Sequence, residues 1–189
     1  TNVDDENCGI LSSLGLDEGL VKEVLEWNQK NEIWKWLILG SDKEDAGRLD
    51  NMATNSARFN NHFHNPLKPW ENAGLDDWIL IPPFHLQGKS SLLWAQDSSY
   101  QSDSKWPEGD WTWERTRKYY YTALTSPSET GRQEFFARTF KGLGHQVHLL
   151  EDKFVPAHVR NDAHPLPWHI EKWLADNPNV IHCLIEDHE

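Results

Sequence analysis

The sequence is poor in sulfur, in basic charge and in long apolar runs. Its 189 residues hold one methionine and two cysteines, Cys8 and Cys183, near opposite ends. Such a pair either closes one long loop in an oxidising compartment or stays as two buried thiols, and it does not define the compartment by itself. No stretch of about 18 apolar residues occurs, so no segment reads as a membrane-spanning helix. Thr1 to Glu6 are polar and acidic, unlike a secretory signal. Lys and Arg number 18 against 30 Asp and Glu, a formal charge of −12. Without a basic stripe, a broad electrostatic grip on a nucleic-acid backbone is disfavoured. Carboxylates that hold divalent cations enter this tally as bare charge, so bound metal would offset part of it.

Tryptophan and histidine are abundant instead, at 11 and 10 residues. The length suits one domain over 1–189 with a sizeable core. Trp111, Trp113 and Tyr119 to Tyr121 fit that core first, and a stacking surface for lipid or base second. Strand signals are weak, with little alternation and no Asn-Gly or Asp-Gly hairpin between β-branched runs. Helical spacing is clearer. Asp17 is placed to cap a helix through Val21, Val24, Leu25 and Trp27; Trp34, Trp36, Leu37 and Leu39 follow and end at Gly40. Further helices are predicted over Ser90 to Gln96 and Asp110 to Leu124. The longest is predicted from Ser128 to Phe154, with Phe135, Phe136, Phe140, Leu143, Val147 and Leu150 as its apolar face. Pro156 stops it, and a last helix is expected near Trp168 to Ala175. Segments 41–71 and 97–109 read as long loops. The expected fold is an all-α, multi-helix bundle with a metal cluster between helices.

Five of the ten histidines lie between His145 and His169. His148 and Asp152 stand four residues apart on the predicted long helix, one turn apart on one face, where both can reach a single ion. His158 follows Pro156, His164 lies in a proline-bounded loop, and Glu171 opens the last helix. Upstream, RFNNHFHNPL offers His62 and His64, and GSDKEDAG offers Asp45 among Asp42, Glu44 and Asp50. Imidazole with carboxylate is a ligand set that zinc accepts readily. Taken alone, the His148–Asp152 pair is more often an ordinary helix pair; His158, Glu171 and the upstream loop give it weight. His64 reads as a surface or supporting residue. His145 shares the His148 face, either orienting a ligand or, more simply, as a satisfied core histidine. His85, His182 and His188 read as solvent-facing.

HLLEDKFVPAH, a His-x3-Asp-x5-His pattern, resembles the zinc-dependent phospholipase C family and its relatives, the single-strand-specific zinc nucleases. NNHFHNP resembles their His-Phe-aromatic-Asp-Pro loop, and GSDKED the segment that carries their upstream aspartate. The likeness runs from about Trp34 to Trp173. It implies one metal held by Asp45, His62, His148 and Asp152, and a second held by His158, His164 and Glu171. Where the family places a histidine four residues before the glutamate, this chain has Pro167, and His164 is the substitute. His169 is two residues from Glu171 and points elsewhere on a helix. The family's third metal uses the N-terminal amine and an early histidine, bridged by the helix aspartate. Here no histidine precedes His62, so either two ions are expected or an upstream segment completes a third site.

The implied activity is zinc-dependent phosphodiester hydrolysis of the phospholipase C type, with Asp45 and Asp152 as catalytic carboxylates. Phospholipid head groups are favoured over nucleic acid, with transient contact at a membrane surface and a secreted, periplasmic or extracellular setting. A zinc-dependent nuclease, or a non-catalytic metal-binding relative, is the alternative.

Overall fold

A computed structural model of the chain describes residues 18–45, 56–80, 83–102 and 109–163. The architecture is mainly helical, as the pattern predicts, with two small antiparallel hairpins that it did not foresee. The predicted first helix is one of these hairpins. After a short 3-10 turn at Gly19–Val21, β1 (Glu23–Glu26) pairs with β2 (Gln29–Glu32), and Trp27 and Asn28 both take positive φ. A two-residue turn with positive φ at both positions matches the twist of the strands it joins. Burial here alternates with period two, but its buried members are Val24 and Glu26. A buried carboxylate reads as solvent-facing in sequence, which hides the alternation.

Helix α1 (Ile33–Glu44) does not stop at Gly40. Its buried residues are Ile33, Trp36, Gly40 and Glu44, one stripe at helical spacing. The second hairpin, β3 (Asp76–Leu80) with β4 (Pro83–Gln87), is followed by α2 (Ser91–Gln96) and α3 (Ser98–Gln101). Asp97 caps α3 by accepting from the Ser99 amide, so part of the predicted 97–109 loop is helical. Helix α4 (Trp113–Thr125) starts at the Thr112 cap, and α5 (Glu129–Glu151) at the Ser128 cap. A 3-10 turn, Asp152–Phe154, ends the long helix, and Pro156 opens the short α6 (Pro156–Arg160) as its first residue.

Helix α5 is the axis. On one side it packs on α1, running in the same direction: a Cβ on Gly40 would lie 1.9 Å from the Lys141 carbonyl oxygen, and one on Gly144 would lie 2.0 Å from that of Leu37. The two backbones touch because neither glycine has a side chain. On the other side Gly142 admits Thr116 of α4. The apolar core gathers Val24, Ile33, Trp36, Ala123, Phe136 and Ala137; Trp36 Nε1 also donates to the Val24 carbonyl at 3.1 Å. Phe63, Leu75 and Leu86 form a second cluster beneath the second hairpin.

The predicted apolar face of α5 is corrected in part. Val147 and Leu150 are exposed, while Thr139, Lys141 and His145 are buried. Of the predicted aromatic core, Trp111 is buried, but Trp113, Tyr120 and Tyr121 face solvent. Among the described residues, no helix is long and apolar enough to cross a membrane.

Candidate metal centre

The glycine-to-glycine crossing decides what meets at the C-terminal end of α1. From Gly40 onward, Ser41, Glu44 and Asp45 come alongside His145 and His148 of α5. Ser41 Oγ lies 3.4 Å from His148 Nδ1, which leaves Nε2 on the other edge of the ring, 3.5 Å from Asp152 Oδ2. The His62 loop arrives from the opposite side and is held by its backbone. His64 N donates to the His158 carbonyl, Ser91 N to that of Phe63, and Lys153 Nζ to that of His62. Polar contacts thus pin both ends of the His-Phe-His segment, and the Phe63 side chain anchors it in the second apolar cluster.

Asp45, His62 and His148 each offer one ligand atom, all within 4.8 Å of one another. Asp45 is exposed, His148 half-buried and His62 buried, so the group has a solvent-facing side. Asp152 joins it through both oxygens: Oδ2 lies 2.8 Å from His62 Nδ1, and Oδ1 lies 3.2 Å from His158 Nδ1. Despite these distances, Asp152 Oδ2 is buried and makes no hydrogen bond. Imidazole nitrogens and carboxylate oxygens gathered this closely are able to serve one cation together.

Burial would suppress the charge on His62, but the Asp152 and Glu44 carboxylates beside it prevail and raise its pKa to about 9. Burial would likewise raise Asp152, yet His158 and His62 drive it well below the usual carboxylate range. Two imidazoles with one or two carboxylates suit zinc, and three protein ligands leave a position open for water. The donor set therefore fits the metal that the motif implies, and the identity of the ion is not fixed by the geometry.

Comparison with protein-family models, with curated proteins and with solved structures gives no match.

The structure thus brings five of the seven expected ligands together: Asp45, His62, His148, Asp152 and His158. His164, Glu171, the predicted last helix and both cysteines lie outside the described residues. Two further histidines fall outside the gathered group. Of the two readings of His64, surface or supporting, the surface one does not hold: His64 is buried, with Nδ1 2.8 Å from Ser90 Oγ. His85 is partly exposed, 2.6 Å from Asp76 and stacked on Trp78.

Sequence reasoning missed Glu44 and Arg58. Glu44 was a rival of Asp45 for the metal; instead it is fully buried and tied to the Arg58 guanidinium at 2.6 Å. Burial alone would raise its pKa, but Arg58 and His145 hold it far below the ordinary value. His145 is the core histidine of the simpler reading: its Nδ1 is 2.6 Å from Glu44 Oε2, its ring stacks on Trp111, and burial lowers its pKa to about 4 despite Glu44. The only hint in sequence was Arg58 itself, a basic residue in a loop otherwise free of them between Asn51 and Pro66. A separate polar cleft of 670 Å³, lined by Asn61, Lys68, Glu71, Asp76, Gln87 and Lys89 among others, includes none of the five gathered ligands.

Proposed function

We propose that the chain is a metal-dependent phosphodiester hydrolase of the phospholipase C type, with zinc as the expected metal. The observation that carries this reading is the convergence of Asp45, His62 and His148 beside an Asp152 oxygen that is buried without a hydrogen bond. A divalent ion held there would lower the pKa of a bound water and neutralise charge on the phosphoryl group. The remaining work falls to the chain. His62 and His148 would offer the ion ring nitrogens from fixed positions. Asp152, with its oxygens toward different histidines, is placed to link His158 to the first group. Asp45 lies on the exposed side, where a carboxylate can orient water and accept its proton. The net charge of −12 favours a phospholipid head group over a polyanionic nucleic acid.

The test is metal content per chain on dialysed protein, together with turnover of bis-p-nitrophenyl phosphate before and after chelation. Bound zinc with chelator-sensitive turnover is expected, and phosphatidylcholine vesicles against single-stranded DNA then separate the two substrate classes. Retained zinc without turnover on any of these would make the centre a structural one. No retained metal would overturn the proposal.

A further inference from the structure

Behind the candidate ligands lies an acid that is not one of them. Glu44 has no exposed surface, and both its oxygens are engaged. Oε2 accepts from Arg58 Nε at 3.0 Å, from Arg58 Nη2 at 2.6 Å and from His145 Nδ1 at 2.6 Å. Oε1 accepts from Trp94 Nε1 at 2.7 Å and faces His62 Nε2 at 3.7 Å. Arg58 is fixed in turn, donating to the Gly109 carbonyl at 2.7 Å and to Gln101 Oε1 at 2.9 Å. Gln101 closes the network by donating to the Trp94 carbonyl and accepting from the Trp111 amide. Contacts from α2, α3, α5 and the His62 loop thus leave this carboxylate no other place to go.

The two edges of the His62 ring face different acids. Nε2 is buried and makes no hydrogen bond, and Glu44 Oε1 lies 3.7 Å from it. A bare lone pair aimed at a buried carboxylate is repelled, whereas an N–H in that place is attracted. Nδ1 lies 2.8 Å from Asp152, itself a candidate ligand; an ion shared by those two atoms takes the Nδ1 lone pair, and the ring hydrogen then falls on Nε2, on the Glu44 side.

We propose that Glu44 is a positioning residue of the metal centre: clamped by Arg58, His145 and Trp94, it holds His62 with Nε2 toward α1, so that His62 binds the ion through Nδ1. The inference rests on the reading of His62 as a metal ligand. It also gives a use to a buried ion pair that folding alone does not require, since apolar side chains of similar volume commonly serve as well. Carboxylates behind ligating histidines fix ring orientation and tautomer in this way.

The experiment uses the full chain labelled with 15N-histidine and loaded with 113Cd as the metal probe. Cadmium coupling to His62 Nδ1, with Nε2 still carrying its hydrogen, is the expected spectrum. Coupling through His62 Nε2 would overturn the role given to Glu44 and leave the metal centre standing. Absence of cadmium coupling to any histidine would overturn the metal centre itself. In addition, Glu44→Asp keeps the charge beside Arg58 but withdraws the carboxylate by one methylene. Its cadmium affinity should fall about 10- to 100-fold with an unchanged near-UV spectrum, and a folded variant that binds as tightly as the parent would contradict the proposal. The nitrogen assignment is read on the unaltered chain, so it decides the question whether or not that variant folds.

Discussion

His62 and Asp152 shift in opposite directions because each supplies the charge that the other lacks. In the metal-free chain, the pKa of His62 is raised from 6.5 to about 9, so its contribution to stability is complete below pH 6.5 and is lost as pH rises through 9. Asp152 is depressed from 3.8, so its contribution is present above that value and is lost as pH falls toward the native pKa. His145 is depressed from 6.5 to about 4, so protonation destabilises the fold as pH drops across that interval. Together these place the stability optimum of the metal-free chain near pH 6.5. Urea unfolding in EDTA should show stability declining from there toward pH 9, and a continued rise would contradict the assignment. Zinc must displace the proton from His62, so its affinity should climb about tenfold per pH unit between 7 and 8.5; a flat profile would show that His62 is not a ligand. At the same scale, His148→Ala should abolish metal retention and turnover together, and full activity in that variant would remove His148 from the site.

At the scale of elements, the centre depends on how closely α1 and α5 approach. An added methyl at Gly40 or Gly144 meets the facing helix backbone at about 2 Å, and backbone cannot swing aside as a flexible side chain does. Gly144→Ala should therefore cost about 3 kcal/mol in chemical denaturation, at the upper end of overpacking effects, and should weaken metal binding because Ser41 and Asp45 move away from His148. Val147→Ala, on the exposed side of the same helix, should change stability by less than about 0.5 kcal/mol. Equal effects of the two substitutions would show that the crossing does not position the site. This element also shows why the glycine misleads in sequence: Gly40 reads as a helix stop, whereas here it is a point of helix contact.

For the molecule as a whole, a metal that binds only the folded state adds stability by mass action. At free zinc 100-fold above the dissociation constant this is about 2.7 kcal/mol, or roughly 5–10 °C in Tm for a chain of this size. Chelation should lower Tm by that amount and readdition of zinc should restore it; an unchanged Tm would mean that no ion bridges the His62 loop and α5.

The long helix was legible because its Ser128 cap and the Phe136 part of its apolar face are local signals, and so was the placing of His148 and Asp152 one turn apart at its end. The candidate ligands could be picked out for the same reason, since their spacing within one helix or one loop is fixed by backbone geometry. What the sequence by itself determined is thus a mainly helical chain with candidate metal ligands in two separate segments. Tertiary structure decided the rest. The first hairpin depends on burying Glu26 2.6 Å from Arg138, more than a hundred residues away. The difference between Glu44 and Asp45 depends on Arg58, which pairs with the first in the interior and leaves the second exposed among the candidate ligands. Both outcomes rest on charge pairing across long sequence separations, where burial makes the partner, and not the residue's own type, decide its role.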